Sequence, residues 1–177
     1  MGNWICFDDT LEPSFKMSNG LTDVFIDYML LAGSELAETE SEKRLIAFLS
    51  ERQQSFCGIG TVGFNIVEMP WDKKSFDTDK AFLLRTVARA RELTTQESVW
   101  DKLRYRPNPE NIEYALDGFA GLVEHMTAAD VSEDNLREWV SDSYRKPDDP
   151  VLNGCTKCPK HGLIMSYFGC KLCNELK

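Results

Sequence analysis

Histidine is scarce in this chain, with two among 177 residues, and that scarcity narrows the chemistry at once. A cysteine nucleophile needs a base to take its proton, and only His125 and His161 could serve. Long apolar runs are missing too. The longest nearly apolar stretch, Val24 to Gly33, is interrupted by Asp27 and falls short of the roughly 20 residues that span a bilayer. The first nine residues lack the basic start and apolar run of a secretory leader. Gly2 does not open a myristoylation signal, because position 6 is Cys6 where that signal takes Ser or Thr. A cytoplasmic protein with reduced cysteines and no membrane partner is therefore expected. No zinc-protease HExxH, nucleophile elbow, Walker loop, internal repeat or low-complexity tract occurs. Positive charge is also short: 20 Lys and Arg face 29 Asp and Glu, a formal net charge of −9. Such a field repels phosphate backbones and favours cationic surfaces on other proteins.

What is present is a foldable composition, 42% hydrophobic and 11% aromatic with 28% charged residues. The length suits one main domain with a small appendage. Trp4 to Phe15 reads as irregular or briefly extended, and Asn19-Gly20 as a break. Leu21, Val24, Phe25, Tyr28, Met29 and Leu31 then recur at helical spacing, predicting a helix over 22–32 closed by Gly33. Thr39-Glu-Ser-Glu42 is a capping box opening a second helix that fades near Gln54. The pattern changes over 59–68, where Ile59, Val62, Phe64, Ile66 and Val67 alternate with glycines, predicting a strand that ends before Pro70.

A third helix is predicted over 78–93, with Phe82, Leu83, Val87 and Ala90 inward and Arg85, Arg89 and Arg91 outward. A fourth follows a capping box at Thr94-Thr-Gln-Glu97 and stops at Pro107. The fifth has Asn108 as cap and Pro109 in the first turn, with Ile112, Ala115, Leu116, Phe119, Leu122, Val123 and Met126 on one face. A sixth starts at 130–133 and carries Leu136, Trp139 and Val140. Lys146-Pro-Asp-Asp-Pro150 then reads as a linker.

Downstream, Cys155-Thr-Lys-Cys158 and Cys170-Lys-Leu-Cys173 each place two sulfurs on one tight turn, and eleven residues separate the pairs. Two facing pairs make the tetrahedral set of a structural zinc ion, a closed sphere that staples and does not activate water. Lys157, Lys160 and Lys171 offset the thiolate charge, and Gly162 and Gly169 permit the turns. This stretch resembles the zinc-ribbon family of small treble-clef and knuckle modules, over residues 151–177 only. The resemblance implies Cys155, Cys158, Cys170 and Cys173 as metal ligands. Two alternatives stand beside it: His161, three residues after Cys158, replacing one cysteine, and a pair of disulfides in an oxidising compartment.

Other features have plainer readings. Gly58-Ile-Gly60-Thr-Val-Gly63 matches a dinucleotide fingerprint in letters, but a helix precedes it and extended residues follow, the reverse of what pyrophosphate binding needs. Arg104-Tyr105-Arg106 could grip a phosphate and stack on a base, although arginines in so acidic a chain more often pair with carboxylates. Asp8-Asp9, Glu133-Asp134 and Asp148-Asp149 read as solvated faces and caps. Trp4, Trp71, Trp100 and Trp139 read as core or groove lining. Cys6 and Cys57 read as buried inert thiols, and His125 as a favourable charge at a helix end.

The expected fold is mainly α, with minor strands: a helical domain of about six helices over 1–146, a linker at 147–150 and a zinc-ribbon-like module over 151–177. No catalytic residues are assigned. The leading functional expectation is a non-catalytic, acidic protein-binding module of inhibitor or immunity type, which covers a basic partner with complementary charge. The alternatives are a zinc-ribbon nucleic-acid-binding or transcription-associated factor, and an enzyme whose site assembles only in three dimensions.

Overall fold

The structure, a computed structural model, describes residues 2–10, 12–54 and 58–175. Among these the chain is mainly α, with seven helices and a few short strands. Strand β1 (Gly2–Cys6) pairs antiparallel with β2 (Ser14–Ser18), in register Gly2↔Ser18 through Cys6↔Ser14. The segment expected to be irregular or briefly extended, with a minor contribution to sheet, is thus a regular hairpin. Its period-2 signal was short but real: Phe15 and Met17 are buried while Lys16 and Ser18 face out.

Helix α1 (Asn19–Leu36) begins where a break was expected, because Ser18 supplies the cap by accepting from the Leu21 N–H at 3.1 Å. It also runs past Gly33, the residue expected to close it. A Cβ at Gly33 would collide with the Ile46 side chain, so glycine is there to let α2 (Glu40–Glu51) approach. Every residue from Phe25 to Ser34 is buried, which makes α1 the central helix, packed by α2, α3 and α5. The capping box of α2 forms as expected, with Thr39 Oγ1 accepting from the Glu42 N–H and Glu42 Oε2 accepting from the Thr39 N–H.

The strand expected over 59–68 is broken into pieces. Strand β3 (Gln53–Gln54) pairs antiparallel with β4 (Gly60–Thr61), and β5 (Phe64–Asn65) joins β1 in parallel before a 3-10 turn at Ile66–Glu68. Gly58 and Gly60 adopt left-handed φ, and a Cβ at Gly63 would strike the Trp4 carbonyl. The glycine triplet therefore serves a turn and a close backbone approach. Cys6 is buried as expected, whereas Cys57 lies outside the described residues.

Helix α3 (Phe76–Thr94) buries Phe82, Leu83, Val87 and Ala90, and its arginines reach carboxylates: Arg85 to Glu42, Arg89 to Glu35 and Glu92, Arg91 to Glu113 and Asp117. Helix α4 (Glu97–Leu103) forms without its expected box, because the Thr94 and Thr95 hydroxyls donate backward to the carbonyls of Arg91 and Glu92. Helix α5 (Pro109–His125) is capped by Asn108 as expected, and α6 (Glu133–Val140) by Ser132. The last helix, α7 (Lys171–Glu175), is a single short turn that no periodicity could announce.

Residues 146–150 hold turns and irregular chain, and Asp149, expected to be solvated, has a fully buried carboxylate. Its Oδ2 accepts from Arg145 at 2.9 Å while Oδ1 caps the Val151 N–H at 2.8 Å. Val151, Leu163, Ile164 and Leu172 belong to the same hydrophobic cluster as the helices. The C-terminal segment packs on the body.

Candidate metal centre

Two turns build the site. The first is a narrow hairpin bridged at Lys157↔Ile164, in which the Cys158 N–H donates to the Leu163 carbonyl at 2.7 Å and the Gly162 N–H to the Cys158 carbonyl at 2.8 Å. Gly162 closes this turn at φ +70°, where a side chain would be strained. The second turn is bridged at Ser166↔Gly169 and delivers Cys170 to the start of α7, whose single turn brings Cys173 onto the same side.

These elements gather Cys158, His161, Cys170 and Cys173, with all four ligand atoms within 4.8 Å of one another. His161 Nδ1 lies 3.9, 3.5 and 3.4 Å from the sulfurs of Cys158, Cys170 and Cys173. The Cys158 and Cys173 sulfurs are 3.8 Å apart. Burial pushes the Cys158 thiol up, but the backbone N–H groups of His161 and Lys160 aimed at its sulfur outweigh that and hold it below the ordinary value. Four such groups could hold a metal ion, and they are compatible with a C-terminal zinc-binding module.

Comparison with protein families, with curated proteins and with solved structures finds no match. The site must therefore be read from its own geometry.

Cys155, the expected fourth ligand, lies outside this group, and His161 stands in the fourth place. Cys155 is fully buried at φ +50°, with its sulfur 4.0 Å from the Val151 carbonyl oxygen. Burial pushes its thiol up to about 12. A signal for this pairing existed in the sequence. Cys158-Pro-Lys-His161 has the same two-residue spacing as Cys170-Lys-Leu-Cys173, and Gly162 follows it directly.

The site is tied to the helical body by two buried charge clusters. Lys171, inside the second turn, is 7% exposed and bridges Asp23 and Asp27 of α1, while Tyr105 donates to Asp27 Oδ2 at 2.9 Å. At the other end Glu51 of α2 accepts from Arg145 at 2.9 Å, from Trp139 Nε1 at 2.8 Å and from the Tyr167 N–H at 3.4 Å. The Ile164 N–H also donates to Ser34 Oγ at 2.9 Å.

The other singled-out residues stay apart from this centre. Tyr105 is turned inward, and Arg106 stacks on Trp100 at 4.5 Å. His125 is exposed at the end of α5 against the Phe7 ring. Trp71 and Trp139 are core, but Trp4 is 48% exposed beneath Lys16. No helix among the described residues is long and apolar enough to cross a membrane.

Proposed function

We propose that this chain is a non-catalytic protein-binding module whose C-terminal segment is stapled by a structural zinc ion held by Cys158, His161, Cys170 and Cys173. The observation that carries the zinc reading is the size of the group. A tetrahedral ion with zinc–sulfur bonds of about 2.3 Å and zinc–nitrogen bonds of about 2.05 Å sets sulfur–sulfur edges near 3.8 Å and sulfur–nitrogen edges near 3.6 Å, by simple trigonometry. One of the three sulfur–sulfur edges, Cys158 to Cys173, is 3.8 Å, the sulfur–nitrogen edges of 3.4, 3.5 and 3.9 Å bracket the expected length, and all four ligand atoms lie within 4.8 Å of one another. Four protein ligands close the sphere and leave no position for substrate.

The acidic balance supports a basic protein partner, since a net charge of −9 speeds and steers encounter with cationic surfaces. The nucleic-acid reading is weakened by Lys171. A basic face for nucleic acid near the site would draw on Lys157, Lys160 and Lys171, but Lys171 is spent on Asp23 and Asp27 inside the protein. Native mass spectrometry of protein purified without chelator tests both halves. One zinc per fully reduced chain, with a co-purifying basic protein released by salt, is the expected result. A metal-free chain lighter by the mass of disulfide hydrogens would overturn the zinc half, and nuclease-sensitive co-purifying nucleic acid would overturn the partner half.

A further inference from the structure

A zinc-bound imidazole has two nitrogens, and the one not on the metal ordinarily donates its N–H to a carboxylate, a carbonyl or water, which fixes the ring and raises its basicity. His161 presents Nδ1 to the three sulfurs, so Nε2 lies across the ring from them. Nε2 has no acceptor among the described residues. His161 also lines a cleft of about 290 Å³ between the first turn of the metal site and helices α1, α3 and α4.

The cleft combines apolar walls with an unpaired cation. Leu31, Leu93, Val99 and Leu163, all buried core residues, form its apolar side. Glu35 and Arg89 also line the cleft but pair with each other at 3.0 Å, with Arg89 reaching Glu92 at 2.7 Å as well, so the Glu35 carboxylate is offset by its own partner. Lys102 is different: it is exposed at the rim, and no carboxylate among the described residues lies within ion-pair distance. A polar donor and an ammonium beside an apolar wall match the chemistry of a small amphipathic acid.

Building on the zinc reading above, we propose that this cleft binds a small monocarboxylate with an apolar body, whose carboxylate accepts from His161 Nε2–H and pairs with Lys102. The apolar body then rests on Leu31, Leu93, Val99 and Leu163. The ligand completes the outer coordination shell of the metal and does not enter the inner one, which four protein ligands close.

The test uses zinc-loaded, nitrogen-15-labelled full chain titrated with acetate and with hexanoate at constant ionic strength, following the side-chain nitrogens of His161. The expected result is a saturable shift of Nε2 within the millimolar range, tighter for hexanoate, and weakened about two- to fivefold by Lys102→Met, the loss of one exposed ion pair. Lys73→Met, an exposed lysine in a different cleft, should leave the titration unchanged. A shift that never saturates, or that is equal in Lys102→Met, overturns the proposal even though zinc remains bound by native mass spectrometry. A chain that holds no zinc overturns the metal reading first, and the two failures are told apart by that mass.

Discussion

The helical body and the C-terminal segment are held by different forces. In the body, α1 is buried continuously from Phe25 to Ser34 and every neighbouring helix packs against it, so order there follows from apolar area removed from water. The segment from Val151 onward has one five-residue helix and two isolated bridges. It places Val151, Leu163, Ile164 and Leu172 in the core, and it adds polar ties that the body lacks at such density: the Cys158–His161–Cys170–Cys173 group, the Lys171 cluster and the Glu51 cluster. The segment's polar ties hold only while their groups carry the right charges.

The sharpest way to break that comparison is to disable the proposed zinc site. Cys170→Ser should abolish zinc retention, and hydrogen exchange should show the amides of 155–174 losing protection while α1, α3 and α5 keep theirs. Structural zinc contributes about 10–16 kcal/mol in small peptides, so even a fraction of that exceeds what this segment can supply otherwise. Uniform loss of protection across the chain would show that body and segment form one cooperative unit. Glu51→Ala comes next. It strands Arg145, whose side chain is 5% exposed, and leaves Trp139 Nε1 without its acceptor. Breaking a buried pair from one side costs about 3–5 kcal/mol, although Asp149 remains as a partial partner and should bring the loss to the lower end. Urea unfolding measures it, and a change under about 1 kcal/mol would make the cluster incidental to stability.

The same division explains what could be read from the sequence. The helices of the body carry long 3.6-residue patterns and side-chain caps, and the capping box at Thr39 and the Asn108-Pro109 start appear where those residues place them. Short elements were harder. The β1–β2 hairpin has five residues a side, and its alternation is too brief to outweigh Asp8-Asp9 and Pro13. Gly33 looked like a stop because its real reason, the Ile46 side chain, lies on another helix. Asp149 looked solvated because Arg145 and the fold that buries both are invisible in a string of turn formers. At the candidate metal centre the spacing places a ligand group near the C-terminus, but Cys155 and His161 are equally spaced from Cys158, so letters alone leave both open as the fourth member and only the turn geometry selects His161.

Gly33→Ala tests the tight contact inside the body. Alanine is favoured over glycine in a helix interior by about 1 kcal/mol. Against this, overpacking a dense core costs about 1–3 kcal/mol, and the fully buried Ile46 side chain would have to shift to admit the new methyl. The second effect should win, lowering the melting temperature by several degrees, on the scale of about 4–8 °C per kcal/mol for small domains and less for larger ones. A raised melting temperature would mean that the α1–α2 contact yields.

The smallest expected effect is the most informative about the site. Cys155→Ala removes one buried sulfur that touches only the Val151 carbonyl among its hydrogen-bonding contacts, so it should cost about 1 kcal/mol, as a small cavity does. Zinc should remain at one per chain. His161→Ala, which removes an atom 3.4–3.9 Å from all three sulfurs, should instead lose the metal under mild chelation. The pair of variants separates the two ligand sets directly, because each names a different fourth ligand. If Cys155→Ala releases zinc and His161→Ala retains it, the thiol pushed up to about 12 by burial must be ionised by the metal itself, and the first turn must rearrange to bring Cys155 inward.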